Sequence, residues 1–481
     1  MTLDISKFQA CKVLVVGDLM IDEYVWGSVD RISPEAPVQV VAVTDEDYTL
    51  GGAGNVVNNL SALGAAVQTI GVIGTDTNGS LLLKKLKRLK AGTAGVIAEN
   101  NRPTTVKTRI LADHQHVLRI DRETRREIAG DTFTKLSDAA LALIPAADVV
   151  LVSDYGKGLI TAKFLAHVIR CARQNHKPVI VDPKGDDYTR YNGASLVTPN
   201  RKEAAMASGV EIVDEATLQT AGKNILKKTD IERVLITLGK DGMVLFERNT
   251  KPYKIAAEAR LIFDVSGAGD TVVAVLSLSL AAGADYRQAM TLANTAAGLV
   301  VGKVGTATAS PAELQAALDP STGSISGKFV PMPSIKALAR DLKRAGKKIV
   351  MTNGCFDLLH SGHIALLSEA KKRGDVLIVA IDDDASVRRV KGAGRPVLSE
   401  GERTRILAAL DVVDYVTVFA TDRLTELIEH LRPDVLTKGS NYKHETVFGH
   451  EIVEKHGGRI VLIPIDESIS ATGIINKIKK G

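Results

Sequence analysis

MTNGCFDLLHSGHIALLSEAKKRGDVLIVAID, residues 351–382, reads as strand, loop, helix and strand. The apolar run that ends at Thr352 shows no alternation, which is the pattern of a strand covered on both faces and hence of a parallel sheet. The loop after it delivers His360 and His363 to a helix start, and the serine and glycine between them are small enough to admit a nucleotide triphosphate there. A second apolar run, VLIVAI at 376–381, completes a βαβ unit. Such a unit predicts a doubly wound α/β sheet with its site at the carboxyl ends of the strands.

The same rhythm continues in both directions. KIVMT (348–352) opens the segment, and YVTVF (415–419), VLT (435–437) and RIVLI (459–463) follow it, each run trailed by a helix-like stretch. Upstream, KVLVV (12–16), VVLVS (149–153), PVIVD (178–182) and RVLIT (233–237) are equally apolar, and Val272 to Ala284 reads as a buried helix broken by Ser277, Ser279 and Gly283. Between them DPSTGSISGKFVPMP, residues 319–333, is rich in Ser, Gly and Pro and keeps no period, so it reads as a linker. The expected organisation is a domain over 1–318, a linker over 319–333 and a domain over 334–481, which suits 481 residues better than one core.

Composition narrows the function class. With 61 Lys+Arg against 56 Asp+Glu, a net charge of +5 is too dilute to mark a partner made of nucleic acid or an anionic membrane. Aromatics at 4% supply few stacking platforms for single strands, and no apolar run approaches the roughly 18 residues of a membrane span. Cys11, Cys171 and Cys355 are far apart and never form C-x-x-C, which argues against a disulfide framework and for a reducing, cytoplasmic compartment. An α/β enzyme working on small molecules is the class that remains.

In the first domain, FDVSGAGDTVVAVLSLSLAAG (263–283) sets Gly267, Ala268 and Gly269 before an apolar helix. Backbone N–H groups of 267–270 can converge there on one point at the positive end of the helix dipole, where a phosphoryl group in transit would sit. Asp270, in the first turn, can accept the proton of an attacking hydroxyl. Taken alone, the tetrapeptide is equally a glycine turn with an Asp favoured by the dipole. Other segments give it a context. GDLMID (17–22) offers Asp18 and Asp22, and GGAGNVVNNLSALG (51–64) offers Gly51, Gly52 and Asn55, all suited to sugar hydroxyls. TPNRKE (198–203) puts Asn200, Arg201, Lys202 and Glu203 after a strand, where Asn200 and Glu203 suit Mg²⁺ or its waters beside nucleotide phosphates. TLGKDG (237–242), with Thr237, Gly239 and Gly242, is a further strand-end turn for a nucleotide. No G-x-x-x-x-G-K-[ST] occurs, so a P-loop kinase is disfavoured.

In the second domain, His360 and His363 can donate hydrogen bonds to a five-coordinate α-phosphate. Nucleotidyl transfer to a phosphate oxygen that is already ionised needs no general base, so positioning and charge stabilisation suffice. A zinc site is the rival reading, but Cys355 and Asp357 are only loosely placed as further ligands, and plain capping histidines are the other alternative. Lys391 and Arg395 in VRRVKGAGRP (387–396), Arg403 in ERTRIL (402–407) and Lys438 with Gly439 in KGSNYK (438–443) become candidate pyrophosphate ligands beside such a site.

The order G-G-x-x-N, N-x-x-E and D-x-x-G-A-G-D over residues 1–318 resembles the ribokinase family of sugar kinases. RISPEAPVQVV (31–41), SDYGKG (153–158), DPKG followed by RYNGA (182–194) and VVGKVGTATASPAEL (300–314) resemble its heptose 7-phosphate kinase branch. The resemblance implies Asp270 as the base, Gly267 to Gly269 as the anion hole, Asn200 and Glu203 as Mg·ATP contacts with Glu203 toward the metal, and Asp182, Lys184 and Lys157 as contacts to substrate or phosphate. Residues 348–481 resemble the cytidylyltransferase-like nucleotidyltransferases, with H-x-G-H and a late Ser/Thr element, SISATGII (468–475). That likeness implies ATP contacts at Asn353, Gly354, Phe356, Asp357, Lys391, Arg403, Lys438, Gly439, Ser470 and Thr472. The two halves in this order resemble the family of bifunctional heptose 7-phosphate kinases and heptose 1-phosphate adenylyltransferases of lipopolysaccharide precursor synthesis. The expectation is therefore a ribokinase-like domain followed by a Rossmann-like one, with ATP and heptose phosphates as small-molecule partners, Mg²⁺ as cofactor, room for a monovalent cation and a homodimer. A fused kinase and adenylyltransferase of a vitamin or cofactor pathway is the competing reading, which GGAGN and DPKG disfavour.

Overall fold

The computed structural model of the protein describes residues 4–112, 115–257, 265–303, 306–318, 328–392, 394–440, 442–464, 471 and 473–475. It divides into two compact units, Met1–Gln315 and Ala316–Gly481.

The first unit is built on a nine-stranded sheet, counted over the described residues, in the order Tyr253–Ile255, Met243–Glu247, Arg233–Thr237, Leu196–Val197, Val179–Asp182, Val149–Ser153, Lys12–Gly17, Ala66–Gly74, Gly92–Glu99. Strands from Arg233–Thr237 to Gly92–Glu99 run parallel, and Met243–Glu247 and Tyr253–Ile255 close one edge antiparallel. The apolar runs of the sequence form these central strands because both faces are covered. Leu14 and Val16 join Phe164 and Leu165 of the helix Ala162–Gln174 in one core. Val13 and Val15 are also buried, and the helices Ala53–Ala62 and Ala268–Ala281 pack on Lys12–Gly17. Each such buried aliphatic or aromatic side chain contributes about 1.5–3 kcal/mol by leaving water.

A second sheet, four-stranded over the described residues, has the order Gln39–Gly52, Leu19–Ile32, Thr105–Ala112, Gln115–Arg122. Its antiparallel register sets Leu19 opposite Gly52, Met20 opposite Gly51 and Asp22 opposite Thr49. The two glycines that open the helix Ala53–Ala62 thereby lie beside the strand that carries Asp22.

The second unit holds a parallel sheet in the order Tyr415–Phe419, Val376–Asp382, Ile349–Gly354, Val435–Gly439, Arg459–Ile463. The chain starts at the centre, builds one way and then the other. Its switch point lies between Ile349–Gly354 and Val435–Gly439, and crevices at the carboxyl ends of such neighbours are where α/β sheets bind ligands. All five apolar runs read in this half are strands.

The region read as a linker over 319–333 differs from Lys328 onward. Residues 319–327 lie outside the described residues, but Lys328 O accepts from Val416 N and Val330 N donates to Val416 O, both at 2.8 Å. Val330 and Met332 are buried. Proline prevents helix here without preventing an extended segment from hydrogen-bonding along a sheet edge.

Candidate active sites

Gly267 caps the helix Ala268–Ala281 with φ 79°, a left-handed conformation that favours glycine. A Cβ at this position would also lie 2.8 Å from Asn55 Nδ2. Gly269 is different, because a Cβ there would meet nothing within 4 Å among the described residues. Both glycines line a cavity of about 220 Å³ together with Asp154, Tyr155, Asp182, Lys184, Thr198, Asn200, Glu203, Thr237 and Asp270.

Asp270 is 8% exposed at this helix start, and both its oxygens are engaged. Asn55 Nδ2 donates to Oδ2 at 2.7 Å and the Tyr155 hydroxyl donates to Oδ1 at 2.6 Å. Burial pushes its carboxyl up to about 6, against the two hydrogen bonds that favour the ionised form and with a small upward push from Asp22. The acid is thus poised to accept a proton near neutral pH. Asn55 is held in turn: Asn59 Nδ2 donates to Asn55 O at 2.9 Å, and Thr271 Oγ1 donates to Asn59 Oδ1 at 2.8 Å. This chain of amides and hydroxyl ties the helix that carries Asn55 to the helix that carries Asp270.

Among the described residues four carboxylates, Asp154, Asp182, Glu203 and Asp270, line the cavity against one cation, Lys184, which donates to Glu203 Oε1 at 2.9 Å. Burial, then the charges of Asp270 and Glu203, raise the Asp182 carboxyl well above its ordinary range. These carboxylates form no ready-made metal cage among the described residues, and they suit a divalent cation that draws its other ligands from a polyphosphate and water. Glu203 also closes a capping box: its backbone N–H donates to Asn200 Oδ1 at 3.0 Å, and Asn200 N donates to Glu203 Oε2 at 3.1 Å.

Several residues expected at this site have other work. Asp18 was read as a sugar ligand, yet it is 4% exposed and accepts from the backbone N–H groups of Tyr155, Lys157 and Leu159 at 2.9, 3.1 and 3.4 Å. Asp22 does not line the cavity; it is ion-paired with Arg109, and its charge is felt at Asp270. A Cβ on Gly51 would lie 2.5 Å from Asp22 Oδ2, so that glycine makes room for the carboxylate. Gly52, φ 54°, turns the chain into the helix Ala53–Ala62. Arg201 pairs with Asp241 at 2.6 Å and Lys202 is exposed, so neither lines the cavity. Gly239 and Gly242, with φ 61° and 88°, shape the turn after Thr237 without lining it. Lys157 pairs with Glu123 at 2.6 Å. Sequence reasoning passed over Tyr155 and Asp154, although both stand in the SDYGKG segment.

In the second unit His360 caps the helix Ser361–Lys371 and His363 lies in its first turn. Their rings stack with centroids 3.8 Å apart, and Phe356 packs on His363 at 5.0 Å. Burial, then the neighbouring His360, lowers His363 to about 4, so at neutral pH it is an uncharged donor rather than an acid. Lys438 at the switch point donates to Asn353 O at 2.7 Å, and burial lowers its ammonium to about 8. Asn353 Oδ1 and His360 Nδ1 are buried polar atoms with no partner among the described residues. Gly354 and Gly439 end the two central strands beside them. Among the described residues no three His, Cys, Asp or Glu side chains cluster as metal ligands.

Two expected ATP ligands are struts instead. Arg403 is 1% exposed, with Nη1 on Cys355 O at 2.6 Å, Nη2 on Asp384 Oδ1 at 2.7 Å and Nε on Leu398 O at 3.2 Å. Asp357, buried, accepts from Arg395 Nε and from Val397 N. Both brace the loop that holds the histidines, a use of charge that isolated sequence positions do not announce. Lys391 is exposed. Ser470 and Thr472 lie outside the described residues.

Comparison with known proteins matches two different families to two stretches of the chain. Residues 10–313 match the pfkB family of carbohydrate kinases, and residues 351–476 match the cytidylyltransferase-like family. The bifunctional protein HldE of Desulfatibacillum aliphaticivorans is 54% identical over 480 residues, covering 100% of this chain and 98% of that one. The HldE of Geobacter sulfurreducens is 48% identical over 471 residues, covering 98% and 96%. Among solved structures, Arabidopsis thaliana ribokinase with ribose and ATP superposes with a TM-score of 0.54 at 22% identity, covering 64% of this chain and 99% of that one. Phosphofructokinase-2 of Escherichia coli with substrates and products gives 0.54 at 19% identity, covering 63% and 97%. At such identities these two report the fold alone: the first unit is ribokinase-like. No described helix is long and apolar enough to cross a membrane. The chain belongs to the pfkB family of carbohydrate kinases and, along its whole length, to the bifunctional HldE proteins, with a cytidylyltransferase-like nucleotidyltransferase domain following the kinase on one polypeptide.

Proposed function

We propose that the first unit phosphorylates D-glycero-β-D-manno-heptose 7-phosphate at C1 with ATP, and that the second transfers an adenylyl group from ATP to the heptose 1-phosphate, releasing pyrophosphate and giving ADP-heptose for lipopolysaccharide core synthesis. The observation that carries this reading is the 54% identity over the full length of a bifunctional HldE. It also disfavours the cofactor-pathway fusion.

In the kinase, Asp270 takes the proton of the C1 hydroxyl as that oxygen attacks the γ-phosphorus, and the N–H groups at 267–270 receive the charge of the transferred phosphoryl group. Asn55 fixes the carboxylate from one side. Asp22, Gly51 and Gly52 form the sugar side, and Thr237 and Asn200 the nucleotide side. Asp182 and Glu203 would hold Mg²⁺ or its waters, which would neutralise the polyphosphate. In the transferase, uncharged His360 and His363 donate to the α-phosphate while Lys438 offsets the charge of the departing pyrophosphate. The attacking sugar phosphate oxygen is already ionised, so no base is assigned. Cys11, Cys171 and Cys355 as free thiols suit a cytoplasmic site of action. The reading extends to a homodimer, tested by sedimentation, and leaves room for a monovalent cation, tested by exchanging K⁺ for Na⁺.

The deciding assay supplies the purified protein with ATP, Mg²⁺ and either heptose 7-phosphate or hexose phosphates and identifies products by mass and ³¹P resonance. Heptose 1,7-bisphosphate should accumulate. Equal turnover of hexose phosphates would overturn the substrate assignment.

A further inference from the structure

One element of the kinase site remains outside the roles assigned above. The segment after the strand Val149–Ser153 is held from beneath by Asp18, whose carboxylate accepts three backbone N–H groups, those of Tyr155, Lys157 and Leu159. Asp154 secures the same segment: Tyr191 donates its hydroxyl to Oδ2 at 2.7 Å, and Gly156 N donates to Oδ1 at 2.9 Å. What the braced segment presents to the cavity is the Tyr155 ring, whose hydroxyl meets Asp270 Oδ1 at 2.6 Å. Burial and the nearby carboxylates of Asp270, Asp182 and Asp22 hold that phenol well above its ordinary range, so it stays a donor.

A buried carboxylate with three N–H partners on one short segment is an expensive arrangement if the segment merely connects two elements. We infer that Tyr155 is a positioning residue of the sugar-phosphorylating reaction: anchored through its own backbone by Asp18, it clamps Asp270 from the side opposite Asn55, leaving the remaining lone pairs of the carboxylate for the substrate hydroxyl. The inference rests on the kinase reading. The clamp works because two donors on two oxygens fix the carboxylate plane, and a base held in one plane meets the incoming O–H without reorganisation. The donors also favour the ionised form, the one that accepts a proton.

The test is the pH profile of kcat/KM for sugar phosphorylation by the full chain, wild type against Tyr155→Phe. The ionisable groups around Asp270 are Tyr155, Asp22 and Asp182, with Lys184, Glu203 and Asp154 across the cavity, and Tyr155→Phe leaves all of the others in place. Loss of the hydroxyl should move the acidic limb upward by about one pH unit and lower kcat on the order of 10-fold. The KM for ATP should stay within about twofold and the thermal midpoint close to wild type. Asp18→Asn should shift the limb in the same direction, and Tyr155→Phe decides the matter if that second variant does not fold. An acidic limb that stays where the wild type has it overturns the clamp, whatever happens to kcat. A wild-type protein that phosphorylates no sugar phosphate sinks the kinase reading and the clamp with it.

Discussion

Two single side chains stand at the centre of the proposed chemistry. Asp270→Asn keeps the shape of the carboxylate but cannot take a proton, and a general base is typically worth 10²–10⁴ in rate. Sugar phosphorylation should fall by that order while adenylyl transfer stays near wild type, which separate assays on one preparation would establish; parallel loss of both would refute the two-site assignment. His363→Ala should do the reverse and lower adenylyl transfer on the order of 10²–10³, the usual worth of a donor aimed at developing charge. Retained transfer would leave this histidine a packing partner of Phe356. The candidate residues that the structure gathers with their chain neighbours are Asp270, which lines the cavity with Gly267 and Gly269, and the two histidines around Gly362, whose rings stack. Asp18 was misjudged, and Tyr155 missed, because their meaning lies in contacts 137 and 115 residues away in the chain. Arg403 and Asp357 failed for a related reason, since a charged residue can be spent on backbone carbonyls and N–H groups of a loop instead of on a ligand.

At the scale of elements, uniform apolarity identified Lys12–Gly17, Val149–Ser153, Val179–Asp182 and Arg233–Thr237 of the mixed sheet and the five strands of the parallel one, since a strand buried on two faces tolerates little else. The four-stranded sheet escaped notice. Its strands include TDEDYT, residues 44–49, where exposed charge hides a ladder held by backbone pairing. The helix Ala268–Ala281 separates two kinds of glycine. Gly267→Ala imposes a strained φ and drives a methyl group into Asn55, so both the thermal midpoint and the kinase rate should drop, with a cost of about 1–2 kcal/mol in stability. Gly269→Ala meets no atom of the described residues, so its midpoint should remain within about 1 °C while kinase kcat/KM falls, because the methyl group occupies space that the phosphoryl group needs. Equal melting losses in the two variants would contradict this distinction.

For the molecule as a whole, the two reactions should answer differently to pH. Protonated Asp270 cannot serve as base, so phosphorylation declines as pH falls through about 6. His363 remains uncharged down to about 4, whereas Lys438 loses its charge as pH rises through about 8, so adenylyl transfer persists in mild acid and fades on the alkaline side. Superimposable pH profiles would be inconsistent with these separate environments. The chemistry of the steps also keeps them apart: the kinase makes a bisphosphate, and the transferase uses a sugar with one phosphate, at C1. With heptose 7-phosphate and ATP alone, ADP-heptose should form only once a phosphatase is added; its efficient formation without one would reverse the order of events proposed. The four carboxylates around the kinase cavity have a last consequence. Uncomplexed ATP brings about four negative charges of its own and, among the described lining residues, finds one lysine there, so electrostatic repulsion should make the metal-free nucleotide a poor competitor. Raising total ATP at fixed magnesium should then leave the kinase saturating with the complexed fraction, making the enzyme a reader of free magnesium as much as of nucleotide supply.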